Sequence, residues 1–239
     1  MAAIDKMILA LDVAESDHAL EIVDKFKDYI NIFKVGLELF TAAGPRVVDE
    51  IHQRGKKVFL DLKFHDIPNT VTKAALSATR LGVYMFNVHA SGGFEMMRKC
   101  RDSVVEMCLK ENLERPKILG VTVLTSLSKE ILTDELGIQY GLRTHVRHLS
   151  SLALKAGLDG VVASAREVEL IRNHCGKGFI IVTPGIRPSW TPPDDQKRTL
   201  TPKEAIREGS DYLVIGRAVL QQPDPIKAVE LISLEILAA

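Results

Sequence analysis

Charged residues stand in this chain where charge is expensive. Lys34 lies inside the apolar run Ile32-Phe33-Lys34-Val35, and Asp61 and Lys63 bracket Leu62 at the end of another. A charge in such a run must be paired or put to use. Asp61 and Lys63 are two apart, so on a strand they point the same way, and Asp66 follows three residues later. Two readings are open: a structural buried ion pair, or a site that runs on fixed opposite charges, each favouring the charged form of the other. Two lysines and two aspartates at neighbouring strand ends favour the second. Near the end of the chain, Ile215-Gly216-Arg217 carries a different chemistry. Arginine offers phosphate a rigid fork, glycine lets a backbone N–H come close, and a helix starting there adds its dipole. Such a triplet is a weak signal alone, since an isolated arginine is usually a solvated surface residue.

The elements that must position these residues alternate from end to end. Candidate strands are Met7–Leu11, Ile32–Val35, Val58–Leu62, Met85–Val88, Ile118–Val123, Gly160–Ala163, Phe179–Val182 and Tyr212–Ile215. Between them run amphipathic segments: Asp17–Tyr29, Gly44–Arg54, Thr70–Leu81, Phe94–Lys110, Arg143–Ala156, Ala165–His174 and Pro202–Glu208, with a last helix after Pro225. Pro45, Pro202 and Pro225 suit helix starts. The strands are short and apolar nearly throughout, as parallel strands buried on both faces should be. Eight such units in 239 residues predict an α/β fold of one domain, a closed (β/α)8 TIM barrel spanning residues 1–239. No G-x-G-x-x-G follows the first strand, which weighs against a dinucleotide site.

In such a barrel function gathers at the C-terminal strand ends. Those ends bear Asp12, Lys34, Asp61-Leu62-Lys63, His89, Thr125-Ser126, Pro184-Gly185-Ile186-Arg187 and Gly216-Arg217. Gly216-Arg217 follows the eighth strand, where barrels commonly hold phosphate, and that strengthens its reading. The segment from Pro184 to Pro202 is too long for an ordinary loop and reads as a lid.

Composition narrows the partners. Lys plus Arg and Asp plus Glu are 31 each, so no basic excess invites nucleic acid and phosphate recognition must be local. Cys100, Cys108 and Cys175 are an odd number without metal-ligand spacing, which predicts a reducing cytoplasm. Met1–Val13 has neither the basic start nor the long apolar stretch of a secretory signal. Nowhere do 18 apolar residues run together, so no membrane span is expected.

The run Asp61-Leu62-Lys63-Phe64-His65-Asp66-Ile67-Pro68-Asn69-Thr70 is the most informative in the chain. Read with Asp12, Phe33-Lys34-Val35-Gly36, Thr183-Pro184-Gly185-Ile186-Arg187 and Ile215-Gly216-Arg217, it closely resembles the orotidine 5′-monophosphate decarboxylases of bacterial type. The resemblance covers essentially the whole chain, with the motifs in the same order. It implies decarboxylation to uridine 5′-monophosphate without metal or organic cofactor. It implies an array of Lys34, Asp61, Lys63 and Asp66, the last supplied by the partner of a homodimer with shared active sites. Lys63 would stabilise a carbanion at C6 of the pyrimidine and protonate it. Asp12, Lys34 and Thr70 would contact the ribose, Thr125 the pyrimidine edge, and Ile67 of the second subunit the base. Arg187, Gln196, Gly216 and Arg217 would grip the phosphate, Gln196 from the lid that begins at Pro184.

Rival readings differ in testable ways. The D-x-K-x-x-D core is shared with sugar-phosphate decarboxylases and aldolases acting on 3-keto-gulonate or hexulose phosphates. Those use Mg²⁺ held partly by a Glu where this chain has Lys34, and a cation there repels a divalent metal. A catalytically silent nucleotide-binding barrel is opposed by the intact set of four charges. Other residues read plainly: His145 and His148 as surface histidines, not metal ligands, and His65 and His89 as loop-holding hydrogen bonders. Ser91-Gly92-Gly93 reads as a turn before a helix and Trp190 as a packing anchor or exposed tip.

Overall fold

Strands covered on both faces must be apolar on both, and the alternating runs of this chain supply them. The computed structural model describes residues 3–191 and 200–239. Among these, the strands are β1 (Met7–Leu11), β2 (Ile32–Gly36), β3 (Lys57–Phe64), β4 (Met85–His89), β5 (Lys117–Val121), β6 (Gly160–Val162), β7 (Ile180–Thr183) and β8 (Tyr212–Ile215). Each pairs with the next in parallel, and β8 returns to β1, closing the barrel. The expected (β/α)8 architecture is the one the chain adopts.

Two apolar layers follow from the period-two alternation of strands. Ile8, Ile32, Phe59, Met85, Leu119 and Val214 pack together as one cluster inside the barrel. Their neighbours Leu9, Phe33, Leu60, Phe86 and Ile118 belong to the larger layer beneath the helices. Counting by two from Ile32, Phe59 and Met85 reaches Lys34, Asp61 and Asn87. The parity that fills the core therefore aims these three side chains into the barrel mouth. Gly160 has a packing reason of its own: a Cβ there would lie 2.1 Å from the Ile180 carbonyl oxygen, across the β6–β7 ladder.

Several boundaries differ from expectation. A helix absent from the expected set, Leu37–Ala43, precedes the one expected over Gly44–Arg54, which runs Arg46–Gln53. The first of these has one buried side chain, Leu39, and so no apolar stripe to reveal it. Gly44, at φ 68°, ends it in a conformation natural to glycine. Ala165–His174 divides into a single 3₁₀ turn, Ala165–Glu167, and the helix Val168–Cys175. Strand β5 stops at Val121, and a π-helical turn, Ile131–Glu135, stands in the segment that follows. The two ends of the long segment after β7 are tied together, with the Arg187 N–H donating to the Leu200 carbonyl at 2.9 Å. Among the described residues no helix is long and apolar enough to cross a membrane.

Candidate active site

Neighbouring strands carry the charges to one place. The Lys34 ammonium on β2 donates to Asp12 Oδ1 at 2.8 Å and lies 3.5 Å from Asp61 Oδ2. The Lys63 ammonium donates to Asp61 Oδ1 at 2.8 Å. The side chains of Lys34 and Asp61 are only 10% and 13% exposed. Four charges of alternating sign thus run Asp12, Lys34, Asp61, Lys63. Asp12 ends the run on the Lys34 side, whereas Asp66, expected beyond Lys63, is exposed and its Oδ1 accepts the Ile67 N–H at 2.6 Å. No ion pair joins Asp66 to a described residue of its own chain.

The backbone under Lys63 is unusual. Leu60 pairs with Phe86 and Phe64 with Val88, so Asp61, Leu62 and Lys63 lie opposite the single residue Asn87. Lys63 absorbs the slip in a left-handed conformation, φ 51°, which costs a non-glycine residue about 1–2 kcal/mol. Asn87 offsets this: its Oδ1 accepts the Lys63 N–H at 2.8 Å and its Nδ2 donates to Asp61 Oδ1 at 2.7 Å. Sequence reasoning passed over Asn87, although a polar residue two positions from an inward apolar one was the available signal. His65 and His89 make no hydrogen bond to described side chains; their rings lie against each other with centroids 5.2 Å apart. Burial, then the nearby His65 and Lys63, hold His89 below the usual histidine range.

Among the cavities that the described residues form at this end of the barrel, an inner and an outer one share Lys34, Pro184 and Val214. The inner one, about 190 Å³, is lined by Asp61, Lys63 and Thr125 among apolar neighbours such as Phe59 and Val123. The outer one, about 490 Å³, brings Asp12, Arg187, Gly216 and Arg217 together. Gln221 and Gln222 also line it, beyond the reach of any motif. A Cβ on Gly216 would stand 3.3 Å from Ala10 Cβ and 3.7 Å from Asp12 Oδ2, narrowing this mouth. The helix expected after Gly216 is a single turn, Arg217–Leu220, so its dipole is weak. Gln196 lies outside the described residues.

Ile67 and Thr70 go elsewhere. They stand at the start of the helix Pro68–Arg80, exposed with Asp66, and line neither cavity. Ile67 is 67% exposed, unusual for so apolar a side chain. His145 and His148 line a separate surface cleft with Tyr140 and His174. Among the described residues no three His, Cys, Asp or Glu side chains gather as a metal site. Ala90–Gly92 is a 3₁₀ turn leading into the helix Phe94–Glu111, and Trp190 is 37% exposed.

Comparison with known proteins shows the family of the chain. The model of the "Orotidine 5'-phosphate decarboxylase / HUMPS family" matches residues 5–232. The chain is 51% identical over 236 residues to orotidine 5'-phosphate decarboxylase of Moorella thermoacetica, covering 99% of this chain and 94% of that protein. It is 52% identical over 236 residues to the enzyme of that name from Geobacter metallireducens, covering 98% and 97%. Its fold is similar to the crystal structure of orotidine 5'-phosphate decarboxylase from Lactobacillus acidophilus, with TM-score 0.86, 37% identity, and 97% and 99% of the two chains covered. The chain belongs to the orotidine 5'-phosphate decarboxylase / HUMPS family.

Proposed function

We propose that the protein decarboxylates orotidine 5′-monophosphate to uridine 5′-monophosphate and CO₂, the last step of UMP biosynthesis, with Lys63 as proton donor. The observation that carries this reading is the Lys34–Asp61–Lys63 array at the inner end of a cleft whose outer end gathers Arg187, Gly216 and Arg217. Loss of CO₂ from C6 leaves an electron pair that the pyrimidine delocalises poorly. The Lys63 ammonium opposes that charge and then gives its proton to C6, leaving an amine that solvent recharges. Substrate plus one proton thus becomes product plus CO₂. A charge pair at about 4 Å and an effective dielectric near 20 is worth roughly 4 kcal/mol, less than a difficult decarboxylation demands. The remainder comes from contacts to parts that do not react.

Those contacts divide along the cleft. Arg187, Gly216 and Arg217 take the phosphate with Gln196, Asp12 and Lys34 the ribose, and Thr125 the pyrimidine edge. Asp66, Ile67 and Thr70 are exposed and outside their own cleft, which supports a homodimer in which they complete the partner's site. Residues 1–239 form one catalytic domain, and the free Cys100, Cys108 and Cys175 suit the cytoplasm. Lys34 beside Asp61 disfavours a divalent metal at this position. The test is the loss of orotidine monophosphate absorbance with purified protein, with and without EDTA. Turnover that survives chelation is expected. Activity only on hexulose or keto-gulonate phosphates with Mg²⁺ sinks the proposal, and so does folded protein without either activity.

A further inference from the structure

A fully buried amide in a barrel interior needs a reason, because each of its polar atoms must find a partner there. Asn87 on β4 is 0% exposed, and its side chain bonds to Asp61 and Lys63, both on β3. We infer that Asn87 is a positioning residue for Lys63: it lines no part of the cleft, yet sets where the ammonium stands. The inference rests on the reading of Lys63 as proton donor.

The geometry holds Lys63 from both ends. Its backbone sits in the slip between β3 and β4, where three residues face one and the regular ladder is interrupted. Asn87 Oδ1 takes the N–H there and pins the left-handed turn at φ 51°. The ammonium, at the far end of a flexible side chain, is located by Asp61 Oδ1. That same oxygen accepts the Asn87 Nδ2–H. The orientation of the amide follows from its partners: only its oxygen can meet an N–H, and only its NH₂ can meet a carboxylate. Asn87 is also neutral, so it orients Asp61 without adding to the charges that Lys34 and Lys63 balance. A residue that merely satisfied the slip would need the first bond and not the second.

Asn87→Asp separates these roles. It keeps the shape and the acceptor for the Lys63 N–H, but when ionised it sets a carboxylate against Asp61 in place of a donor. The titratable groups around it are Asp61 and Lys63 on β3, Lys34 beyond Asp61 on β2, and His89 with the His65 ring tilted against it. On the β5 side the paired residue is the apolar Leu119. At neutral pH kcat should fall on the order of 100-fold, the scale of a 1 Å misplacement. KM for orotidine monophosphate and Kd for uridine monophosphate should change less than threefold, because the phosphate residues lie on the far side of the mouth. The ratio of variant to wild-type kcat should rise as pH is lowered, since the neutral carboxyl can again donate to Asp61. Asn87→Leu, which offers neither bond, should show a loss that acid does not relieve. Should Asn87→Leu not fold, the pH ratio of Asn87→Asp decides alone; should neither variant fold, Asn87 is a folding residue and the inference fails. It also fails if kcat stays within twofold of wild type, or falls in parallel with nucleotide affinity. Lys63→Ala, assayed alongside, isolates the underlying reading: if that variant is active, the proton-donor assignment falls, whatever Asn87 does.

Discussion

Lys63→Ala and Asp66→Ala, each nearly inactive when pure, should recover about one quarter of wild-type activity when their subunits are exchanged. The structure motivates the pair. Asp66 is exposed and accepts its neighbour's N–H, and among the described residues of its own chain it makes no ion pair, while Ile67 beside it is 67% exposed. If both serve a second subunit across a two-fold axis, a mixed dimer has one site lacking both groups and one site with both intact. Random exchange of equal amounts makes about half the dimers mixed, and half the sites in those are whole. Neither substitution should unfold the chain, because Asp66 is solvated and alanine carries the same left-handed strain that lysine bears at position 63. The assay is the orotidine monophosphate absorbance rate before and after exchange under mild denaturant, with each parent treated alone as control. If Lys63 and Asp66 act within one chain, every site in every mixture carries a defect. Mixing would then recover nothing, and the shared site would have to be abandoned.

Arg217→Ala should lower kcat/KM by about 10- to 100-fold, since a charge-assisted hydrogen bond to phosphate is worth roughly 1.5–3 kcal/mol. Guanidinium ion should restore part of the loss, and an unchanged kcat/KM would move the phosphate site away from β8. Burial pushes the Cys100 thiol from 9.0 up to about 12, so the folded state keeps a proton that the unfolded chain releases near pH 9. The stability this contributes is fully present below pH 9 and is lost as pH rises toward 12. Denaturation midpoints should show a fall over that range that is smaller in Cys100→Ala, and equal slopes in both proteins would remove the explanation.

The sequence by itself determined the architecture and the identity of the charges. Eight short runs, apolar on both faces, have no economical arrangement in this length except a closed parallel barrel, and the observed ladders follow them closely. Lys34, Asp61 and Lys63 were legible because a charge is costly in an apolar strand; period-two spacing suggested a common side for Asp61 and Lys63, but the slip and the left-handed Lys63 set how they meet. Only the tertiary structure decided who touches whom. Asp12 closes the array because β1 and β2 pair with Ala10 beside Lys34, a register that no local pattern carries. The slip at Lys63 arises from a mismatch between β3 and β4, and a mismatch is a property of two strands together. The inward side of Asn87 could be read from its spacing, but its role could not: its two bonds span more than twenty residues of sequence, and each became possible only when the strands met. Local residue preferences act within a few positions, whereas a site at a barrel mouth is assembled from loops and strand ends far apart in the chain, so its members can be named from sequence but its contacts cannot.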